Sequence, residues 1–562
     1  MPVPRAWTDR AFVGSWAVPA SLLLVAAVSP FERPLPGAIL GFTLTTLELS
    51  IVVVLAAAAI AAVRDPRAFR WRTPLTIPAM TFLACALIAS LAAPEFSGNA
   101  LRFTGRLAAA LLLFTVVANG AAHERFARQL IATLLGAGAS VGVIAVLELA
   151  QVPFILDSLK VFRPGFHVVG GQLRATSTLF YPTITSMYLE VVFALGLIWV
   201  ASSRLAFAAL VLVGAGIIAT FTRAGLIAMA ISLVTFGALV YVKRQGVKRW
   251  EREHVALALL AVILAALVMV SRSPQLLITR MSTEGSEDWY GASYEVPRRL
   301  SMRPDSFNDI PVTLSNRGWL TWQSSALPVF ALSYHWLSAE TEEVVIYDGL
   351  RTPFAQAVAP GEDVELRARV RAPGYPGTYL LVWDVVQEHR TWLSLEGVFP
   401  GRTTVTVEGT PVGAPLPARG RMPAGAMRMP RPVLWQTALQ ISGDHPLLGI
   451  GPDNFRHTYG RYLGLAAWDT RVHANNTYLE VLAGMGVLGL AAFGWLIVAA
   501  ARAAASLVTG ATAGSIALVA AAFAACTVIA AHAVVDSFLT FTSTYVVFAI
   551  AAGLLYRHAH RV

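Results

Sequence analysis

Long apolar runs separated by short polar stretches make up most of the chain, and one extended polar segment interrupts them. A run of about 20 apolar residues is enough to cross the hydrocarbon core of a bilayer. Twelve such spans are predicted, at 11–29, 37–63, 73–92, 101–119, 127–149, 179–201, 205–222, 224–242, 254–271, 481–501, 511–532 and 537–556. The stretch 272–480 follows another period. Val364-Glu365-Leu366-Arg367-Ala368-Arg369-Val370-Arg371 alternates apolar and polar strictly, as a half-buried strand does. Pro373-Gly374-Tyr375-Pro376-Gly377 then makes a turn into a strand at Thr378–Val386. Asn316-Arg317-Gly318 makes another turn, and strand-like runs recur at 328–337, 342–348, 391–396 and 403–408. About seven strands in roughly 100 residues predict an immunoglobulin-like β-sandwich.

The predicted fold class is therefore mainly α. A polytopic transmembrane helix bundle of about twelve spans carries an inserted extracytoplasmic immunoglobulin-like β-sandwich. Spans one to nine occupy 1–271, a connector 272–305 and the sandwich 306–409. A linker and an outer loop fill 410–480, and the last three spans close the chain at 481–562. No cleavable signal peptide is expected, because further spans follow the first apolar run.

Composition supports a membrane protein. Of 562 residues, 56% are hydrophobic and 14% charged, against about 25% charged in soluble proteins. The formal charge is +10, and its placement is informative. Arg64, Arg67, Arg70 and Arg72 follow the second span, Arg125 and Arg128 the fourth. Lys243, Arg244, Lys248, Arg249 and Arg252 follow the eighth, and Arg557 and Arg561 the twelfth. With both termini cytoplasmic, all of these fall on the cytoplasmic side, as the positive-inside rule requires. That placement favours a membrane protein over a nucleic-acid binder, and it puts 272–480 outside the cytoplasm. The two cysteines, Cys85 and Cys526, both lie in apolar spans, so the outer segment has no disulfide framework.

Candidate chemistry clusters at the outer ends of spans. His473 stands in Val472-His473-Ala474-Asn475-Asn476-Thr477-Tyr478-Leu479-Glu480, just before the tenth span. An unperturbed histidine titrates near 6.5 and can act as a base at neutral pH. Asn475, Asn476, Tyr478 and Glu480 are hydrogen-bonding neighbours in sequence. Arg223 lies between two spans; burying an arginine at a helix centre costs roughly 2.5–3.5 kcal/mol. It therefore belongs at the edge, in a polar cavity or against an anion, or it snorkels to the headgroups. Arg431 and Arg174 each precede an apolar helix start, where an arginine fork can take phosphate oxygens bidentately or stay a surface charge. No HExxH, DxD or Walker A pattern occurs, so no metal or nucleotide cofactor is expected. His558 and His560 read as cytoplasmic tail residues.

At these residues the chain resembles the O-antigen ligase and polymerase superfamily of bacterial membrane glycosyltransferases. Arg174 to Pro182 resembles the family's Arg-x-x-Gly-Thr-Phe-x-x-Pro segment, with Ser177 at the glycine. Thr222-Arg223-Ala224 resembles its Ser-Arg-Gly. Arg431 to Phe455 resembles its Arg-x-x-x-Trp and His-Pro-Leu-Leu-Gly-Gly-Pro-Asn-Phe run, the most specific of the matches. His473 to Gly489 resembles its histidine, asparagine, Tyr-Leu-Glu and Gly-x-x-Gly run. In the family the catalytic histidine often stands immediately before the asparagine. Here Asn475 occupies that place, Asn476 the asparagine, and His473 lies two residues earlier.

The resemblance implies transfer of a glycan from undecaprenyl diphosphate, outside the bacterial cytoplasmic membrane, with no cofactor. His473 would take the acceptor proton. Arg223, Arg431 and Arg174 would bind the diphosphate, supported by Asn475, Asn476, Tyr478 and Glu480. The acceptor would be a lipid-anchored sugar, another lipid-linked glycan or a protein side chain, which separates ligase, polymerase and protein O-oligosaccharyltransferase. Ligase is favoured by the span layout. A lipid-linked glycan transporter is a reading of another class, with Glu48, Arg106, Glu148 and Glu190 as intramembrane path residues. A β-sandwich adhesin on a membrane anchor would need far fewer spans. Trp336 and Trp392 would be either glycan-stacking surfaces or sandwich core.

Overall fold

The computed structural model describes residues 16–557, except 36–43, 67–68, 164–166, 170–171, 201–202, 245–289, 326–328, 389–390, 415–419, 421, 423–430, 465–467 and 513–514. The chain is mostly helical, with a β-rich region between the helices Arg223–Arg244 and Arg431–Asp444. Among the described residues six helices are long and apolar enough to cross a membrane: Thr46–Arg64 (α2), Ser97–Gly120 (α4), Glu124–Leu149 (α5), Pro182–Trp199, Arg223–Val242 and Thr477–Gly510. Five shorter apolar helices accompany them: Ala17–Val28 (α1), Thr76–Leu91 (α3), Arg204–Ala219 (α8), Ile516–His532 (α13) and Thr542–Tyr556 (α14). The expected span at 254–271, its flanking Lys248, Arg249 and Arg252, and His558, His560 and Arg561 lie outside the described residues.

Helix α7, Pro182–Gly196, is buried on every side and forms the centre of the bundle. Helices α5, α8, α13, α14 and α9, Arg223–Arg244, pack around it. Helices α5 and α8 touch backbone to backbone: a Cβ on Gly142 would meet the Leu212 carbonyl oxygen at 2.1 Å. Glycine is what permits that approach in an apolar medium, where close packing rather than water exclusion joins helices.

The intramembrane carboxylates are each matched. Glu48 caps α2 through a capping box with Thr45 and lies 3.6 Å from Arg106. Glu148 pairs with buried Arg163 and accepts the backbone N–H groups of Thr176 and Ser177. Glu190 pairs with His532 at 2.8 Å.

The β-rich region holds two sheets. One runs β3-β5-β9, that is Ala292–Glu295, Phe307–Asn316 and Asp363–Arg371, all antiparallel. The other runs β4-β12-β10-β6-β7, Arg299–Met302, Gly401–Val407, Gly377–Gln387, Phe330–Ser338 and Val344–Ile346. Its β4–β12 pair is parallel. Inward residues of both sheets share one core, including Ile310, Val312 and Val370 against Leu332, Trp336, Trp383 and Val405. Strands β3 and β4 fall in the stretch expected as a connector. Their Tyr294 hydroxyl donates to Val-385-proximal Asp384 and their backbone completes both sheets, so they pack as part of the sandwich. Trp336 is fully buried and Trp392 nearly so, which makes both core residues rather than stacking surfaces. The same core takes in Phe221 and the edge of Leu149 from the helical bundle. The sandwich therefore rests on the turn that precedes Arg223.

Candidate active site

The site is built by a break in a helix. Helix α12, Thr477–Gly510, is interrupted at Gly486, whose φ of 62° and ψ of −166° are non-helical. A glycine tolerates that conformation where a side chain would strain. A Cβ there would also meet the Leu447 carbonyl carbon at 2.3 Å. The break frees backbone groups that the loop 445–452 takes up. Ile450 N–H donates to Ala483 O at 3.0 Å and Gly451 N–H to Gly484 O at 2.9 Å; Val487 N–H donates to Pro446 O at 2.8 Å. The His-Pro-Leu-Leu-Gly run and the Gly-x-x-Gly run, thirty-odd residues apart in sequence, are thus two halves of one joint.

That joint delivers Asp453 to His473. Asp453 follows the loop in a left-handed conformation, φ 63°, and helix α11, Phe455–Tyr462, begins just after it. Asn99 at the start of α4 donates to Asp453 Oδ2 and to Asn454 Oδ1. Arg456 holds Asp453 Oδ2 at 3.0 Å. Glu480, in the first turns of α12, accepts the Ala474 N–H through Oε2 at 2.8 Å. Each carboxylate keeps one oxygen in hand, Asp453 Oδ1 and Glu480 Oε1. Each of these lies 3.7 Å from His473 Nδ1. The three residues are 6%, 8% and 7% exposed in the order Asp453, Glu480, His473, and these three atoms have no hydrogen-bond partner.

Burial by itself pulls the His473 pKa down. The hydrogen-bonding influence and charge of Glu480, then the charge of Asp453, outweigh it, and the net result is a raised pKa. A contact of 3.7 Å is longer than a direct hydrogen bond, so the attraction is chiefly that of two carboxylate charges on one imidazolium. With Nδ1 between two anions, that nitrogen carries the proton and Nε2 is the one available to a substrate. The same three atoms lie within 4.8 Å of one another and could hold a metal ion. The expectation of no metal cluster came from contiguous motifs, and this group comes from two separate segments.

The remaining predicted residues fall into two groups. Asn476 caps α12, its side chain accepting from Tyr478 N and Leu479 N. Asn475 is left-handed, φ 49°, and makes the bend into that cap. Tyr478 donates to Ala530 O at 3.2 Å and faces Phe493. These three shape the loop, whereas His473 and Glu480 face each other. The second group is arginine. Arg223 opens α9 with no acidic residue in its first turn, so its charge adds to the positive end of the helix dipole. Arg431 opens helix α10, Arg431–Asp444, again without an acidic neighbour in the first turn. Among the described residues neither arginine pairs with a carboxylate. Arg174, expected at the diphosphate, directs Nε to Thr220 O at 2.9 Å and one Nη to Thr222 Oγ1 at 3.2 Å. It secures the turn that carries Arg223.

All these helix ends meet at one end of the bundle. Thr477 N–H donates to Ala533 O at 2.8 Å, joining the start of α12 to the end of α13. The His473 ring meets Phe541 edge-on, and His532 meets Phe538 edge-on. A Cβ on Gly225 would strike Ser186 Oγ at 2.2 Å, so α9 starts hard against α7. Sequence reading left Asp453 without a role although it lies in the His445 to Phe455 run. It also passed over His532, an ionisable residue in an apolar span, which is itself a functional signal.

The O-antigen ligase family matches residues 402–494. Among curated proteins nothing matches. Among solved structures, the alkylpurine DNA glycosylase AlkC of Pseudomonas fluorescens, bound to DNA containing an abasic site analog, is similar at 12% identity. That similarity covers 71% of this chain and 98% of that one with a TM-score of 0.13, which carries no statement about the fold. The family match spans Arg431, Asp453, His473, Glu480 and Gly486, and with it the chain carries a domain of the O-antigen ligase family.

Proposed function

We propose that the protein is an O-antigen ligase-like glycosyltransferase of the bacterial cytoplasmic membrane, with twelve spans and the β-sandwich on the outer side. It moves a glycan from undecaprenyl diphosphate to an acceptor hydroxyl. The observation that carries this reading is that the ligase-family match coincides with the loop and broken helix that build the His473 site. The acceptor oxygen attacks the anomeric carbon of the donor sugar while the carbon–oxygen bond to the diphosphate breaks. His473 Nε2 takes the acceptor proton, and Asp453 and Glu480 stabilise the resulting imidazolium. Undecaprenyl diphosphate leaves with the bonding electron pair, its charge met by Arg223 and Arg431. Arg174 serves the same anion indirectly by fixing the Thr220–Thr222 turn. The pairing of Glu48, Glu148 and Glu190 with protein groups supports an enzyme over a transport path.

The test is purified protein in detergent, where vectorial transport has no meaning. It is incubated with undecaprenyl-diphosphate glycan and, separately, a lipid-anchored core sugar, a second lipid-linked glycan and a protein acceptor. Mass analysis should find the glycan on the lipid-anchored core sugar. Product only with the second or third acceptor would make the protein a polymerase or a protein glycosyltransferase. No product with any acceptor would overturn the reading.

A further inference from the structure

Among the buried nitrogens without a hydrogen-bond partner among the described residues are three on the helices around the His473 site: Arg431 Nε, Trp435 Nε1 and His532 Nε2. Buried polar groups in folded proteins are nearly all hydrogen-bonded, so a group of orphans calls for an explanation. Arg431 and Trp435 stand four residues apart on α10, hence on one face, one above the other. His532 ends α13, where Thr477 Oγ1 donates to Asp536 O and ties that end to α12. Helix α10 packs along α12 through Leu434, Ala438 and Ile441 against Ala483, so α12 is the wall that both share. The loop after α10 bonds α12 at Ala483, Gly484 and Val487, so the Arg431 end of α10 lies toward the start of α12, where Thr477 N–H donates to Ala533 O beside His532.

The arrangement of His532 sets what its free nitrogen can do. Nδ1 lies 2.8 Å from Glu190 Oε2, and Ser186 Oγ donates to Glu190 Oε1 at 2.6 Å. With Nδ1–H given to the carboxylate, Nε2 becomes a second donor whenever an anion draws a proton onto the ring. Arg Nε–H and Trp Nε1–H are donors always. Three orphan donors, two of them carrying positive charge, match the oxygens of a diphosphate.

We propose that Arg431, Trp435 and His532 form one cradle for the donor's diphosphate, with Glu190 as the positioning residue that holds His532. This assigns Trp435 and His532 as substrate-binding residues, and it rests on the lipid-diphosphate reading above. Placing the diphosphate here also puts the leaving group beside the loop 533–541, whose other side touches His473 through Phe541. Leaving group and base then flank one loop.

The experiment measures binding of farnesyl diphosphate to purified full-length protein in detergent by calorimetry, with farnesol and phosphatidylglycerol as control ligands. Trp435→Phe keeps the ring and removes the N–H; binding should weaken about tenfold, the scale of one hydrogen bond to a charged group. For His532 two amides separate the roles. His532→Gln places an amide near Nε2 and should bind within a fewfold of wild type. His532→Asn places it near Nδ1, keeps the Glu190 contact, and should lose about tenfold or more. Lys160→Ala, an exposed loop residue, should bind as wild type does. The opposite order, with Asn better than Gln, would make His532 a purely structural partner of Glu190 and overturn the cradle. Unchanged affinity in both Trp435→Phe and His532→Asn would overturn it as well. Equal binding of phosphatidylglycerol would make the site a lipid-headgroup site instead. If wild type binds no farnesyl diphosphate, the donor reading itself fails, a result distinct from all of these.

Discussion

In the β-sandwich, His335 is fully buried with Nδ1 on the Tyr347 carbonyl and Nε2 3.5 Å from Asp384 Oδ2. Tyr347 and Trp392 flank its ring, and Asp384 also accepts the Ser394 N–H. At the end of the helix bundle, His532 is just as buried beside Glu190, and its Nε2, like that of His335, has no hydrogen-bond partner among the described residues. The arginines do differ. Arg351 of the sandwich is held by Asp348 and Glu388 and lies over Trp392. Arg223 and Arg431 pair with no carboxylate among the described residues. A buried histidine–carboxylate pair is thus no mark of a site by itself. Cations left without a carboxylate are such a mark, because their counter-charge has to come from outside.

The strongest test of this contrast is His473→Ala. Loss of a general base should lower turnover by about a hundredfold or more while the protein still inserts and binds donor. His335→Phe in the sandwich should cost stability and little turnover in the protein that folds. Equal turnover losses in the two variants, at equal amounts of folded protein, would erase the distinction.

Next in size are the arginines. Arg223→Ala and Arg431→Ala should each slow transfer by about one to two orders of magnitude, the scale of a charge-assisted hydrogen bond. Lysine should rescue poorly, because it lacks the planar fork. Full rescue by lysine at both positions would remove the bidentate role. Arg351→Ala, whose charge is met within the protein, should leave turnover near wild type.

Glu480→Gln tests the electrostatics of His473. Glu480 helps to hold the His473 pKa above its ordinary value, and a base works in its deprotonated form. Removing that charge lowers the pKa, so the acidic limb of the pH–rate profile should move to lower pH. The fold is linked in the opposite sense. A raised histidine pKa contributes stability that is present at low pH and is lost as pH rises through the folded-state value. A limb that stays in place in this variant would show that His473 is not the group titrating.

Smaller effects are expected from the sandwich and from chelation. Replacing 290–408 by a short Gly/Ser linker should leave the bond-forming step in place, with a reduced rate because Phe221 loses its packing beside Arg223. Complete loss of transfer in an inserted, donor-binding deletion would make the sandwich part of the site. Chelation of divalent cations should change transfer least of all; abolition by chelator with rescue by one metal would make Asp453, His473 and Glu480 its ligands.

Much of this molecule is dictated locally. Apolar runs marked the places of the eleven described apolar helices, six of them long enough to cross a membrane. Strict alternation marked 364–371 as a strand, and β9 covers it. His473, Glu480, Arg223 and Arg431 stood out as candidates because polar groups are scarce beside apolar spans. What the sequence could not decide is which of them meet. Gly486 breaks α12 and accepts the loop 445–452 only through backbone contacts made across the fold, and this alone brings Asp453 to His473. The glycine was visible in the Gly-x-x-Gly run, its φ was not. That Arg174 bonds the turn at 220–222 was not legible, since the two segments are distant in the chain. His532 drew no reading from the sequence, and only the fold sets Glu190 of α7 against it. Sequence fixes the kind and the burial of each group, since both follow from hydropathy. Only packing decides which donors are answered, since hydrogen bonding is short-ranged and directional and depends on neighbours distant in the chain.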